Sequence, residues 1–204
     1  MDDLFLQDRP AAITLSQHLG NLSCYRDWLS PSECHHYFQL FSKELSWQSE
    51  TLLMAGKKVQ SPRLVSWYGD KDAQYRYSGT SYIAQAWHPA LSELKDKLIT
   101  DFSAQINSVL ANLYRNGRDS VGWHADSEPE LGKQPLIFSL SLGASRYFDY
   151  RLKNNSSSRQ RIELHAGTLL IMKGSFQQYW QHQVPKQLRI QEPRINLTFR
   201  YINS

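Results

Sequence analysis

A histidine and an aspartate stand two apart in His124-Ala125-Asp126, and another histidine, His182, follows downstream. Two histidines and one carboxylate are the ligand set of the facial triad that holds non-haem Fe(II) and leaves coordination positions open. The chain then runs Pro193-Arg194-Ile195-Asn196-Leu197-Thr198-Phe199-Arg200. On a strand, side chains alternate faces with a period of two. Arg194, Asn196, Thr198 and Arg200 therefore share one face, and Ile195, Leu197, Phe199 and Tyr201 share the other. One face is a row of cations and hydrogen-bonding groups, and its back is core. The combination points to an iron that works beside a bound dianionic acid.

Such a row needs a sheet to carry it. Val109, Ala111 and Leu113 alternate with Leu110, Asn112 and Tyr114, and the turn pair Asn116-Gly117 follows. Asn112 and Tyr114 share a face by the same parity. Further strand-like runs are Leu136–Leu142, Tyr147–Leu152, Arg161–Leu164, Thr168–Met172, Gln178–Val184 and Arg194–Tyr201. Asn154-Asn155-Ser156-Ser157-Ser158 is expected to be an exposed loop. Short strands at this spacing predict a sandwich or jelly roll rather than a parallel α/β sheet.

Helices are expected before the strands. Ser30, Pro31 and Glu33 form a capping-box pattern, and Cys34, Tyr37, Phe38, Phe41 and Leu45 then line one helical face. A second helix begins near Pro89, with Leu91, Leu94, Leu98 and Phe102 as its buried stripe. The expected fold class is α+β, mainly β: a double-stranded β-helix (jelly roll) core with N-terminal helices packed on it. A single domain over 1–204 divides into a helical region at 1–45, a nucleotide-recognition lid of strands and loops at 46–86, and a catalytic core at 107–201.

Composition sets bounds on the rest. The chain has 204 residues, a net charge of +4 and 41% hydrophobic residues. No apolar run approaches the ~20 residues that span a bilayer, so no membrane partner is expected. Met1-Asp2-Asp3-Leu4-Phe5 lacks the basic and apolar regions of a signal peptide. Cys24 and Cys34 do not make a disulfide framework. These features predict a cytoplasmic protein, or a nuclear one in a eukaryote, in a reducing setting that suits ferrous iron. The mild positive charge permits a polyanionic partner without requiring one. The chain is expected to act as a monomer.

The ordered set of His124, Asp126, His182 and Arg194 resembles the AlkB family of Fe(II)/2-oxoglutarate dioxygenases, which repair alkylated nucleic-acid bases. Residues 107–126 and 135–201 fit that family's core, and the likeness runs back to about Pro62-Arg63-Leu64. Trp67-Tyr68-Gly69-Asp70 and Asn112-Leu113-Tyr114-Arg115-Asn116 look most like the branch of the animal homologues two and three, especially the third.

The resemblance implies that His124, Asp126 and His182 are the iron ligands. It makes Arg194, helped by Tyr114, the partner of the distal carboxylate of 2-oxoglutarate. It puts Arg200 near the iron-end carboxylate and the catalytic centre. Asn112, Asn196 and Thr198 complete the polar wall. A planar guanidinium suits a carboxylate in a dry pocket better than lysine does. Arg146 is left out of the site as structural, and His18, His35, His36, His88 and His165 are read as ordinary surface or core histidines.

On the substrate side, Tyr75-Arg76-Tyr77-Ser78-Gly79 resembles the segment that supplies the base-stacking aromatic. Tyr77 is the expected platform opposite His124, with Tyr75 and Ser78 beside it. Two aromatics packing a hairpin is an equal alternative from the residues alone. Glu128 resembles the acid that faces the exocyclic amino group of a methylated adenine or cytosine, and an alkylated, cationic base suits a carboxylate. Ser127 departs from the branch's pattern, which carries a second acid there. Arg63, Arg76, Lys57 and Lys58 can meet phosphates or stand as solvated surface charges. Leu52-Leu53-Met54 is either a wedge or a plain strand, and it does not match the duplex-prying finger of the second homologue.

The expected function is therefore oxidative dealkylation of N-methylated bases, such as 1-methyladenine and 3-methylcytosine, in single-stranded DNA or RNA. The cofactors are Fe(II), 2-oxoglutarate and O2, and the products are formaldehyde, succinate and CO2. Two alternatives stay open at this point: a 2-oxoglutarate oxygenase acting on a protein or small molecule, and a non-catalytic jelly-roll module that binds nucleic acid.

Overall fold

Fourteen strands and three α-helices follow one another in the computed structural model, which describes residues 12–54, 57–71, 74–77 and 80–203. The strands are β1 (Ile13–Ser16), β2 (Asn21–Tyr25), β3 (Gln48–Met54), β4 (Lys57–Gly69), β5 (Gln74–Tyr77), β6 (Thr80–Ile83) and β7 (Ser108–Tyr114). They continue with β8 (Val121–His124), β9 (Ile137–Gly143), β10 (Arg146–Leu152), β11 (Asn155–Leu164), β12 (Leu169–Lys173), β13 (Trp180–Val184) and β14 (Arg194–Arg200). The helices are α1 (Pro31–Glu44), α2 (Pro89–Phe102) and the single turn α3 (Phe176–Tyr179).

Two antiparallel sheets face each other. The larger has eight strands in the order β1-β2-β12-β9-β14-β7-β4-β3, and the smaller has four in the order β11-β10-β13-β8. Strands β5 and β6 form a separate pair. The alternation in the last strand decides what lies on each side of the large sheet. Ile195, Leu197 and Phe199 are fully buried against Phe41 of α1 and Leu91, Leu94 and Leu98 of α2. On the inner side, Leu22, Ile137 and Leu170 of the large sheet pack with Phe148, Tyr150 and Trp180 of the small one. Helices thus cover one face of the large sheet, and the second sheet covers the other. This is a mainly β jelly roll.

Local chemistry accounts for the elements that hold this frame. Ser30 Oγ accepts the Glu33 N–H at 3.3 Å, and the Glu33 carboxylate accepts the Ser30 N–H at 2.8 Å, which closes the capping box of α1. Phe38 of α1 lies over the end of β9. A Cβ on Gly143 there would come within 2.6 Å of the Phe38 ring, and Gly143 has φ +81°. Only glycine meets both conditions. The α2 cap is His88, whose Nδ1 accepts the Ala90 N–H at 3.3 Å. At the Asn116-Gly117 turn, Gly117 N–H donates to Ile190 O and its carbonyl accepts from Gln187 N, so the two loops touch backbone to backbone.

Several sequence expectations need correction. The described part of the expected helical region at 1–45 opens with a hairpin, and β2 pairs with β12, so the large sheet starts before α1. The expected loop Asn154–Ser158 is mostly strand. Only Lys153 and Asn154 turn, and Ser158 Oγ accepts the Leu152 N–H at 2.8 Å, letting polar residues continue the hairpin. The strand expected to begin at Gln178 begins at Trp180, because Gln178 and Tyr179 close the turn of α3 onto Ser175 O. Within 46–86, β4 pairs with β7 from Leu64↔Leu113 to Gly69↔Ser108. The β3–β4 hairpin therefore extends the large sheet and lines its end of the cavity between the sheets.

Candidate active site

The metal end of that cavity is set by the register of the small sheet. His182 on β13 pairs directly with His124, the last residue of β8. Their rings lie 4.4 Å apart. Asp126 sits just past the strand end, with its Oδ1 3.8 Å from His124 Nε2. One potential ligand atom from each of the three residues falls within 4.8 Å of the others, the one such group among the described residues. His124 Nδ1 lies 2.8 Å from the Gly122 carbonyl. A carbonyl only accepts, so Nδ1 carries the proton and Nε2 presents its lone pair.

Burial prepares the other two groups. His182 is stacked on Phe148, with ring centres 5.2 Å apart. Burial pushes its pKa down to about 3, and the neighbouring His124 adds to this against the pull of Asp126. It is neutral at ordinary pH and can serve as a metal ligand. Its buried Nδ1 has no hydrogen-bond partner among the described residues. Burial alone would raise the Asp126 carboxyl, but His182, Arg200, His124 and Arg63 outweigh it and hold it below the usual carboxylate range. Two imidazoles and one carboxylate fit Fe(II).

The opposite end is set by the large sheet. β14 runs between β7 and β9, pairing Arg194 with Tyr114 and Asn196 with Asn112 on one side, and Asn196 with Ser141 on the other. Arg194 is 1% exposed. Its Nη2 donates to Ser141 Oγ at 2.9 Å, and its guanidinium lies 5.2 Å from the Tyr114 ring centre. Its Nε and Nη1 have no partner among the described residues. Burial lowers its pKa to about 10, partly offset by Tyr114, so it stays charged at neutral pH. A buried guanidinium with two unmet donors fits a carboxylate. Asn196 Nδ2 donates to Ser139 Oγ at 2.8 Å, and Thr198 Oγ1 donates to Asn196 Oδ1 at 3.1 Å, which stiffens the wall between the two ends.

One cavity of about 280 Å³ joins these groups. His124, Asp126, His182, Asn112, Tyr114, Arg194, Asn196, Thr198 and Arg200 all line it, as do Glu128 and Arg63. Arg63 is not the solvated surface charge the sequence allowed. It is 8% exposed, and its Nε donates to Asn112 Oδ1 at 2.6 Å, so it holds a wall residue in place. Tyr75 and Tyr77 lie on β5, but their side chains, those of Lys57, Lys58 and Arg76, and the whole of Ser78 are outside the described residues. Arg146 donates to the carbonyls of Asn116, Asp119 and Pro185 and is a structural staple away from the cavity. His88 caps α2, and His165 Nδ1 lies 2.8 Å from Ser145 Oγ.

Some wall residues escaped the sequence reading. Ser139 and Ser141 on β9 hold Asn196 and Arg194. Their signal was present: two serines at strand spacing inside an otherwise apolar run, which points both hydroxyls to one face. Gln177 of α3 accepts the Asp126 N–H at 3.0 Å, and no spacing rule links it to the triad.

A family model described as the 2OG-Fe(II) oxygenase superfamily matches residues 21–200. The chain belongs to this superfamily. Within it, alpha-ketoglutarate-dependent dioxygenase alkB homolog 3 from Bos taurus is 42% identical over 179 residues, covering 83% of this chain and 62% of that protein. The Homo sapiens protein of the same name is 40% identical over 193 residues, covering 90% and 67%. DNA oxidative demethylase ALKBH2 from Mus musculus is 33% identical over 192 residues, covering 89% and 80%. These likenesses put the chain in the AlkB branch of the superfamily. This AlkB chain spans about two thirds of the length of the alkB homolog 3 proteins that it matches. The solved structure of OsALKBH1 shares the fold at a TM-score of 0.66 and 17% identity, covering 93% of this chain and all of that one.

Proposed function

We propose that the chain is an Fe(II)- and 2-oxoglutarate-dependent dealkylase that restores N-methylated bases in single-stranded nucleic acid. The observation that carries the reading is a single cavity with three unlike walls: the His124, Asp126 and His182 cluster, the buried Arg194, and the carboxylate-bearing Glu128. The names of the similar proteins, a dioxygenase and a DNA oxidative demethylase, support the same reaction class. The net reaction converts the N-methyl group to formaldehyde, restores the base, and takes 2-oxoglutarate and O2 to succinate and CO2.

When bound, Fe(II) with 2-oxoglutarate and O2 supplies the oxidation of the methyl C–H bond. The protein's own groups bind and orient. Arg194 takes the distal carboxylate, and the Asn196–Thr198 pair fills the wall beneath it. His124 is fixed in one tautomer by Gly122. Asp126 supplies the only charge in the ligand cluster, and Arg200 lies close enough to lower its pKa. Glu128 offers a negative edge to a base made cationic by N1- or N3-alkylation, and Tyr77 supplies the stacking plane. The protein works as a monomer in a reducing, cytoplasmic or nuclear setting, where iron stays ferrous and Cys24 and Cys34 stay thiols.

The test runs methylated oligonucleotides, single- and double-stranded, DNA and RNA, with iron and 2-oxoglutarate, and follows demethylation and succinate together. Glu128→Gln should slow repair of 1-methyladenine and 3-methylcytosine more than of neutral lesions. Tyr77→Ala should slow all of them, and succinate release without substrate should survive in both. Parent-rate repair of every lesion by both variants would move the base pocket away from Tyr77 and Glu128. No repair of any lesion by the parent, with succinate still formed, would move the substrate to a protein or small molecule.

A further inference from the structure

Two of the three clustered ligands are held by the sheet itself. His182 lies inside β13 with β10 on one side and β8 on the other, and His124 is its direct partner. Asp126 has no such support. β8 ends at His124, so the backbone at Asp126 has left the ladder and needs another partner for its N–H. That partner is the side chain of Gln177, whose Oε1 accepts at 3.0 Å.

Gln177 is itself fixed on every side. It is 2% exposed, in the single turn of α3 between β12 and β13. The orientation of its amide is forced, because the Asp126 N–H can only donate and so must meet the oxygen. The amide nitrogen then faces the sulfur of Met172 at 3.3 Å, a weak acceptor. Its backbone carbonyl accepts from Lys153 Nζ at 2.8 Å, and Lys153 N–H donates to Tyr179 O at 2.9 Å. The β10–β11 turn thus clamps α3, and α3 leads within a few residues to His182.

We infer that Gln177 is a positioning residue for the metal centre: it sets the backbone of the carboxylate ligand relative to the strand that carries His182. Partners that orient a metal ligand typically cost 10–100-fold in affinity when removed.

Mn(II), a redox-inert stand-in for Fe(II), provides a readout that needs no turnover and no nucleic acid, so it separates this inference from the proposed substrate. Mn(II) affinity is measured from the electron paramagnetic resonance of the unbound ion, with the melting temperature of the metal-free protein alongside. Gln177→Met removes the acceptor at similar volume, and Gln177→Asn withdraws it by one methylene. Both should weaken Mn(II) binding by about 10–100-fold. Gln177→Glu keeps the acceptor and should bind within about threefold of the parent or tighter, since its added charge acts in the tightening direction. Loss of stability with parent-like Mn(II) affinity in the Met and Asn variants would overturn the inference. Equal weakening in all three would overturn it as well.

Discussion

The wall proposed for the acid lies in the middle of the eight-stranded sheet, where β14 pairs along its length with β7 on one side and β9 on the other. The wall proposed for the metal lies at the margin of the four-stranded sheet, where β8 meets β13 at His124 and Val121 with an irregularity between. One wall is over-determined by ladder hydrogen bonds. The other is held more sparsely: β13 carries His182 between β10 and β8, Gly122 fixes the His124 ring, and Gln177 alone takes the Asp126 N–H. The difference matches the two tasks. A distal carboxylate needs a fixed charge at a fixed depth. A metal needs three ligand atoms brought to one point, and here a single side-chain contact holds the backbone of the carboxylate there.

The sharpest way to break this comparison is at the metal wall. Asp126→Ala removes the only anionic member of the triad, and both Mn(II) binding and succinate formation should be lost. Retained turnover would remove the iron assignment. At the opposite wall, Arg194→Met should raise the 2-oxoglutarate requirement by about a hundredfold or more, as expected when ~3 kcal/mol of buried charge pairing is lost. The same variant should melt no lower than the parent without 2-oxoglutarate, because a buried guanidinium with unmet donors is costly to keep. A marked drop in melting temperature would make Arg194 a structural residue.

Outside the cavity, the small sheet has its own polar lock. Asp149 on β10 has no exposed side-chain surface and accepts from Arg159 at 2.6 Å, Arg161 at 2.6 Å and Gln183 at 2.9 Å. Burial would raise its carboxyl, but Arg161, Gln183 and Arg159 prevail and hold it below the usual carboxylate range. A depressed folded value means stability that is present above the unfolded value and lost as pH falls through the folded one. Asp149→Asn should cost about 1–2 kcal/mol at pH 7, discounted because both arginines are partly exposed. Urea unfolding should show that gap closing below about pH 4, as the parent's own carboxylate protonates. A gap that stays constant down to pH 3 would refute the ionic origin. The smallest effect is expected at Ser141→Ala, which removes one partner of Arg194. It should raise the 2-oxoglutarate requirement several-fold, about 1 kcal/mol, with turnover at saturation unchanged.

What could be read beforehand followed the same divide. The last strand announces itself, because Arg194 to Arg200 alternate without exception and parity alone assigns both faces. Asn112 and Tyr114 follow by the same rule, and the α1 capping box is local chemistry. The β1–β2 hairpin was not legible, since four residues such as Ile13–Ser16 carry too little pattern and gain their stability from β12, far along the chain. The polar run Asn155–Ser158 looked like a loop because its strand is held by serine and asparagine side chains rather than by apolar burial. Arg63 looked like a surface charge because only the tertiary fold brings Asn112 to it. The link from Gln177 to Asp126 crosses a distance in sequence that no periodicity spans.

The place of β14 also bears on how the chain reaches its folded state. It is the last of the described strands in sequence, yet it fills a seat in the middle of the large sheet. Until residues 194–200 emerge from the ribosome, β7 and β9 each keep a bare, hydrogen-bond-hungry edge. Such edges invite pairing with other chains. The nascent protein therefore carries two open edges until this strand is in place, and Arg194 reaches the cavity wall in the same step that closes them.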